Sequence, residues 1–519
     1  MACLPTRDGT VIDDSDLNED PTTDAPPGTG PAAPSSIEPT GAVTLTLTAD
    51  QGAANGDVVS FGLPFPQGVF TNEKNVTVLD ENGAPVAIAT KTLAKWPGDG
   101  SIRSVLVAFK ATLARGKTKK WKVEYGAAPR GGDAGALAAN PDGPVIATLT
   151  ADHYAASHVG GVLGTAAKNE RFAQYETDLN RGWDSFDIGD YGVDCGSTSK
   201  HRTYYDGPHA QYQRALRTGD PTQLRGAHAE SIWFRENELE LSNNRKLAIS
   251  KCQREYAPGS WTPAKALDWG TLRMMLSQGS LEDYLVTGDP AAREAVLAMG
   301  EAYRQNLGAL TAGSPPVLEI TERNLGWTLM GLTSYYALDP RNEVRDAMRS
   351  LVDRAIAWQG RGGSGALEHD INRPDPDECG DGPAGASPFM TSLVVDGMMD
   401  YWLLTADKEK LSPFMTKLAR WYEDDARTSD GAAFRYLWNC STNDYDTGDP
   451  DGYTSAELNL LIAHVFGATY ALTKDAHWLE FGDEMVDHGI EEMFAKRPKQ
   501  WNQASRAFGK YLGYRELAR

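Results

Sequence analysis

The sequence predicts two unlike units, a small N-terminal β-barrel or sandwich followed by an (α/α) toroid of five or six helical hairpins. Three patterns predict this. Up to about residue 160, apolar residues alternate in short runs broken by Asn-Gly, Asp-Gly and Pro, the punctuation of an all-β unit. From about residue 165 the runs lengthen, and a helix–break–helix unit recurs with its breaks at Asp220, Asp289, Asp339, Asp407 and Asp475. Long polar loops precede the first helix of each hairpin, and in a ring they would crowd one rim, which an open solenoid does not require.

Composition narrows the function classes. The 71 acidic residues outnumber the 50 Lys and Arg, and a net charge of −21 argues against a nucleic-acid partner. A locally basic cleft for an anionic glycan remains compatible with that charge. There is no apolar run long enough to cross a membrane.

The first segment, residues 1–40, is rich in Pro, Asp, Thr and Gly and reads as a disordered tether. Its opening Met-Ala-Cys3 resembles the start of a mature bacterial lipoprotein, so an exported chain with a lipid anchor at Cys3 is expected, and the tether should be dispensable for folding. The second segment, 41–160, carries the strands VTLTLTA, VVSFGLPFPQGVF and NVTVLDENGAPVAIATKTLAKW, then WPGDGSIRSVLVAF and TKKWKVEYG. Asp99-Gly100 supplies the tight turn of the fourth of these, but neither Trp96 before it nor Arg103 after it is required by a hairpin. The third segment, 161–519, holds the hairpins. In its Gly-Asp-Pro breaks Gly ends one helix, Asp caps the next and Pro occupies its first turn.

Cys195, Cys252, Cys379 and Cys440 form no C-x-x-C pair. The pairings Cys195–Cys252 and Cys379–Cys440 would each tie a rim loop to a nearby segment; four free thiols are the alternative.

The series FGLPFPQGVF, WPGDGSIRSVLVAF and WKVEYG resembles the N-terminal barrel of exo-acting rhamnogalacturonan lyase-like proteins. The stretches YYDG…YQRALRTGDP, RNLGWTL and SPFMTSLVVDGMMDYWLLTADKEK extend the likeness into the helical part. Gly98 and Ser104 depart from the barrel motif, and the helical ending AFGKYLGYRELAR stands where that family usually continues into a β-sandwich. The resemblance implies a polysaccharide lyase, with Trp96 and Arg103 as interface or cleft residues of the barrel. It implies an acidic polysaccharide partner and no required cofactor.

Elimination from a uronate needs a group to neutralise the carboxylate, a base for the C5 proton and an acid for the leaving oxygen. The segment His201-Arg202-Thr203-Tyr204-Tyr205-Asp206-Gly207-Pro208-His209 holds all these types before a predicted inner helix. Tyr204 or Tyr205 would move the proton, Arg202 would hold the carboxylate, and His201 or His209 would relay; a solvated loop over packed tyrosines is the plain alternative. Arg323 and Asn324 form a second carboxylate-binding candidate, or a helix cap with Thr321 and Glu322. His369 beside Asp370 would be an acid/base pair. Glu322, Trp327, Asp370 and Tyr453 are assigned to substrate contact. Trp183, Trp269 and Trp438 are further stacking candidates.

Asp444, Asp446 and Asp449, and the cluster Asp375, Asp377, Glu378 and Asp381, have oxygen-rich spacings that suit a structural Ca²⁺ but not the EF-hand pattern. Solvated acidic loops are the preferred reading of both, and His228 and Glu230 read as structural. A glycoside hydrolase using Asp206, Glu322 or Asp370 is the first rival to the lyase reading; a noncatalytic glycan-binding lipoprotein is the second.

Overall fold

Strand β1 (Gly41–Thr48) buries Val43, Leu45 and Leu47 and turns the residues between them outward, as its alternation dictates. In the computed structural model, which describes residues 33–195, 200–242, 247–252, 274–370, 384–439 and 454–518, six more strands complete the N-terminal unit. They are β2 (Ala54–Pro64), β3 (Val76–Leu79), β4 (Ile88–Lys95), β5 (Ile102–Leu113), β6 (Thr118–Tyr125) and β7 (Ile146–Thr148). They form two antiparallel sheets, ordered β3–β6–β1–β7 and β2–β5–β4. Phe61, Phe65, Phe70 and Phe109 are buried between them.

The hairpin between β4 and β5 is held by its own side chains. Asp99 accepts from the amide and hydroxyl of Ser101 at 2.9 and 2.7 Å, and Gly100 takes φ 70°. Trp96 is buried beneath this turn and donates from Nε1 to the Phe65 carbonyl at 2.9 Å.

A short helix, α1 (Ala151–Ser157), leads to the toroid. Six inner helices follow one another around its axis: α3 (Gly207–Thr218), α5 (Gln278–Thr287), α7 (Glu322–Tyr336), α9 (Pro388–Thr405), the broken pair α11 (Asn459–Ile462) and α12 (His464–Thr473), and α14 (Pro498–Glu516). Each packs on the next, and α14 packs back on α3, which closes the ring. The outer helices are α4 (Pro221–Asn237), α6 (Pro290–Thr311), α8 (Asn342–Gly362), α10 (Leu411–Trp421) and α13 (His477–Glu491). The sixth outer helix is α2 (Ala173–Asp184), the first in the chain, and it covers α14, the last. The Tyr175 hydroxyl donates to the Ala504 carbonyl at 2.9 Å across this seam.

Inner helices pass to outer ones through left-handed residues: Gly219 and Gly288 beside the Gly-Asp-Pro breaks, and Ala406 and Lys474 at equivalent places. Asp220 and Asp289 cap the outer helices as their position in the motif requires, accepting from Gln223 and Ala291 at 2.9 Å each.

The barrel closes one end of the ring. The Ser104 hydroxyl donates to the Leu285 carbonyl at 2.7 Å, and the Tyr284 hydroxyl donates to that of Leu93 at 3.0 Å. Gly62 lies so close that a Cβ there would stand 1.9 Å from the Leu285 carbonyl oxygen. Because these contacts fall at the C-terminal end of α5, the loops that precede the inner helices open at the opposite end.

Cys195 and Cys252 are joined, with Cα atoms 5.2 Å apart. Closing the 57-residue separation corresponds to about 4 kcal/mol in the loop-entropy picture. Cys379 and Cys440 lie outside the described residues, as do Cys3, Trp269, Tyr453, Asp444, Asp446, Asp449 and the cluster Asp375 to Asp381.

Burial begins ahead of β1. Ala33 and Ile37 are buried, and the Ser35 hydroxyl donates to the Ala156 carbonyl at 2.7 Å. The last residues of the segment 1–40 therefore pack on α1. A chain starting at Gly41 should be less stable than one starting at Ala33 by about 1 to 3 kcal/mol, the burial of one Ile and its neighbours. Denaturant unfolding of the two proteins measures this; equal stability would show that the strap contributes nothing.

Candidate active site

The segment before α3 leaves the loop through two consecutive non-glycine residues in left-handed conformation, Tyr205 at φ 68° and Asp206 at φ 58°. Such backbone is strained and persists only where its surroundings hold it. Asp206 is buried and caps α3, its carboxylate accepting from the His209 amide at 3.1 Å. The Asn502 side chain donates to the Tyr204 carbonyl at 2.9 Å, and Arg506 donates to that of Tyr205 at 2.9 Å. Helix α14 thus grips the segment from across the seam of the ring.

This geometry brings the two tyrosines together with Arg323, at the start of α7. Arg323 Nη1 donates to the Tyr204 hydroxyl at 3.0 Å. The rings of Tyr204 and Tyr205 meet edge-on at 4.8 Å, and Tyr205 meets Trp327 in the same way at 6.0 Å. Burial pushes the Tyr205 phenol up, against the pull of Arg323 and Arg506, so it stays a proton donor at neutral pH. Gln503 lies against its hydroxyl.

Glu322 and His369 sit on the same rim. Glu322 is fully buried; Oε1 accepts from the Ser387 amide at 2.7 Å and lies 3.3 Å from His369 Nδ1. His369 is fixed by two backbone hydrogen bonds with Gly385, at 2.8 and 3.0 Å, and Asp370 follows it, partly buried. Asn324 donates its side-chain amide to the Val317 carbonyl at 2.8 Å, which locks the turn before α7.

Three residues of the same motif go elsewhere. Arg202 is bound by both carboxylate oxygens of Glu230, with its closest contact 2.6 Å, and stacks on Trp233 at 4.3 Å. His201 is wholly buried, with Nε2 2.8 Å from Glu238. His209 faces inward along the ring axis, its Nδ1 2.9 Å from Glu282, and burial pushes its pKa well down. His209 is four residues beyond Tyr205, the spacing of one helical turn, but α3 starts between them, and the two side chains meet different partners, Trp327 and Glu282. Of the tryptophans, Trp183 packs on Trp501 at 4.9 Å and Trp438 on Trp421 at 5.9 Å, both partly buried.

Several rim residues had no motif to announce them. Lys499 stands 6.0 Å from the Tyr204 ring. Glu457, near Lys499, is pushed up to about 7 by burial, partly offset by the Phe494 amide it accepts from at 3.0 Å, by Ser455 and by Lys499. Asn502, Arg506 and Lys510 recur every fourth residue, a polar stripe on a buried helix face that the spacing itself displays.

For a metal, the described residues bring together one group of three ligand-type side chains, His228, Asp283 and Asp289. Arg235 already bridges the two carboxylates, reaching Asp283 at 2.6 Å and also bonding Asp289, and His228 Nδ1 lies 2.7 Å from Asp283. A guanidinium thus fills the cation's place. This cluster joins α4 to α5, away from the rim.

Residues 43–124 match the PcRGLX-like N-terminal RIFT barrel domain. No curated protein matches the chain. Among solved structures, an unsaturated glucuronyl hydrolase specific for heparin aligns at 13% identity, covering 66% of this chain and 96% of that one, with a TM-score of 0.45. A GH127 beta-arabinofuranosidase aligns at 12% identity over 67% of this chain with a TM-score of 0.38, and the chain spans 57% of its length. A family 76 glycoside hydrolase from a bovine Bacteroides thetaiotaomicron strain aligns at 10% identity over 88% of this chain and 79% of that one, with a TM-score of 0.26.

The raised Glu457 gives a signed test. Its folded pKa lies above its unfolded value, so the carboxyl costs stability increasingly as pH rises from about 4.5 to about 7. Replacing Glu457→Gln should raise the melting temperature at about pH 8 and leave it nearly unchanged at about pH 4. An equal difference at both pH values would show that the effect is not ionisation.

Proposed function

We propose that this chain is a carbohydrate-active enzyme, a polysaccharide lyase that cleaves a uronate-containing glycan by β-elimination at the Tyr204–Tyr205–Arg323 rim. The observation that carries the reading is the hydrogen bond from the Arg323 guanidinium to the Tyr204 hydroxyl, beside a second buried phenol. A guanidinium donating into a phenol oxygen favours the phenolate, which is the form that can act as base. Arg323 and Lys499 supply the positive charge that a uronate carboxylate needs in order to make its C5 proton acidic. The match of residues 43–124 to the RIFT barrel domain supports the reading, because that is the N-terminal unit of the lyase-like proteins the sequence resembles.

In this mechanism the Tyr204 oxygen takes the C5 proton. The electron pair forms the C4–C5 double bond, the C4–O bond breaks, and the leaving oxygen receives a proton from Tyr205. Tyr204 suits the base and Tyr205 the acid because Arg323 bonds the Tyr204 hydroxyl, while burial pushes the Tyr205 phenol up. No step requires a cofactor, and the expected substrate is an acidic polysaccharide met outside the cell.

A hydrolase is the second reading, favoured by Glu457, whose raised pKa suits a general acid on the same rim. Of the carboxyls considered from the sequence, Asp206 is committed to capping α3, which leaves Glu322 and Asp370 as partners for it.

A panel of uronic-acid polysaccharides decides between these. A lyase raises both the ultraviolet absorbance of the unsaturated uronate and the reducing ends; a hydrolase raises only the reducing ends, and a binding protein neither. On an active substrate, Tyr204→Phe should lower turnover by a factor of about 10² to 10⁴ with the melting temperature unchanged. Arg323→Lys should weaken binding and turnover together, since it keeps the charge and loses the planar fork. Wild-type rates in both variants would remove this rim from the chemistry.

A further inference from the structure

The barrel reaches into the ring through one side chain. Arg103, in β5, is buried and stacks on Trp96 at 4.7 Å. Its Nε and Nη1 find no hydrogen-bond partner among the described residues. Arg103 lines a cavity of about 40 Å³ at the barrel end of the ring axis, together with His209, Gln278, Glu282, Asp400 and Lys510. A guanidinium is costly to bury, and burial lowers Arg103 to about 10; Asp400 and then Glu282 oppose this, while burial in turn raises both carboxyls, Glu282 well above the usual range.

From Asp400 a chain of hydrogen bonds runs up the axis to the rim. Gln278 donates from Nε2 to Asp400 at 2.8 Å and accepts at Oε1 from Arg506 at 2.8 Å. Arg506 donates to the Tyr205 carbonyl at 2.9 Å and stacks on Trp327 at 4.7 Å. The direction of this chain is forced. Arginine only donates, so the Gln278 oxygen must face Arg506, its NH₂ must face Asp400, and Asp400 must accept. Burial raises the Asp400 carboxyl, and Lys510, with Arg103 behind it, works the other way; a protonated Asp400 would donate, and a turned Gln278 would present NH₂ to a guanidinium.

We infer that Arg103 is a positioning residue for the rim: with Lys510 beside the same cavity, it keeps Asp400 an acceptor at the foot of the Asp400–Gln278–Arg506 relay, which holds the left-handed Tyr205 in place. The barrel then serves the site from the far end of the ring, without touching substrate. The catalytic meaning of this relay rests on the lyase reading above, but its structural effect does not.

The test is hydrogen exchange at the start of α3, where the Gly207 and Ala210 amides donate to Thr203 and Asp206. Arg103→Met should speed exchange there by about tenfold or more, the expected effect of loosening the charge-assisted hydrogen bond from Arg506 to the Tyr205 carbonyl, and Arg103→Lys should restore much of the protection. Val107→Ala, a buried barrel substitution away from the relay, is the control for general loosening and should leave these amides protected. Should Arg103→Met fail to fold, Gln278→Met cuts the relay inside the ring and should give the same local acceleration. Unchanged exchange in the folded relay variant, or equal acceleration in Val107→Ala, overturns the inference whatever the activity proves to be. If the elimination assay succeeds, Arg103→Met should lower kcat far more than it changes KM; a change in KM alone would also overturn it.

Discussion

The interaction on which the toroid most depends is the pairing of Asp396 with Arg506 and Lys510 at its centre. Asp396 lies in the middle of α9, and all three side chains are buried. Burial opposes ionisation of this carboxyl, yet Lys510 and Arg506 hold it well below the usual carboxylate range. Removing one member of such a set strands a charge in the core and typically costs about 3 to 5 kcal/mol. The pairing therefore fixes the distance between α9 and α14 across the axis. It also fixes Arg506, which in turn reaches α5 through Gln278, α7 through Trp327 and the segment before α3 through Tyr205. One cation touches four of the six inner walls.

Most of the architecture was legible because it is written in local chemistry. The Asp99-Gly100 turn, the alternation of β1 and the capping Asp220 and Asp289 each act within a few residues. The repeat gave five hairpins. The sixth escaped because its two helices, α2 and α14, stand at opposite ends of the helical region, and no sequence window holds both. Ala406 and Lys474 were also unreadable, since nothing in either residue type signals left-handed backbone.

The site was legible in kind more than in arrangement. The cluster from His201 to His209 contained residue types suited to the chemistry, and two of them, Tyr204 and Tyr205, reach the rim beside Arg323. Arg202 was hidden by a long-range partner, Glu230, that spacing cannot reveal, and His209 by another, Glu282. Lys499 and Glu457 gained their surroundings only from ring closure. Arg103 had a visible oddity, an arginine in an apolar strand, but its counter-charges lie about 180 to 300 residues away.

The seam between α2 and α14 has a consequence for how the protein is made. Helix α2 leaves the ribosome more than 300 residues before the surface that buries its apolar face, as the 329-residue separation of Tyr175 and Ala504 shows. Until α14 arrives, Phe172, Tyr175 and Leu179 have no cover from Phe508 and Tyr511, and the strained Tyr205 lacks the arginine that holds its carbonyl. The barrel, whose strands all pair with one another between Gly41 and Thr148, is complete long before that. Synthesis therefore passes through a state with a finished barrel and an open helical arc exposing apolar surface, and the arrival of α14 converts the arc into a ring and the rim into a site in a single step.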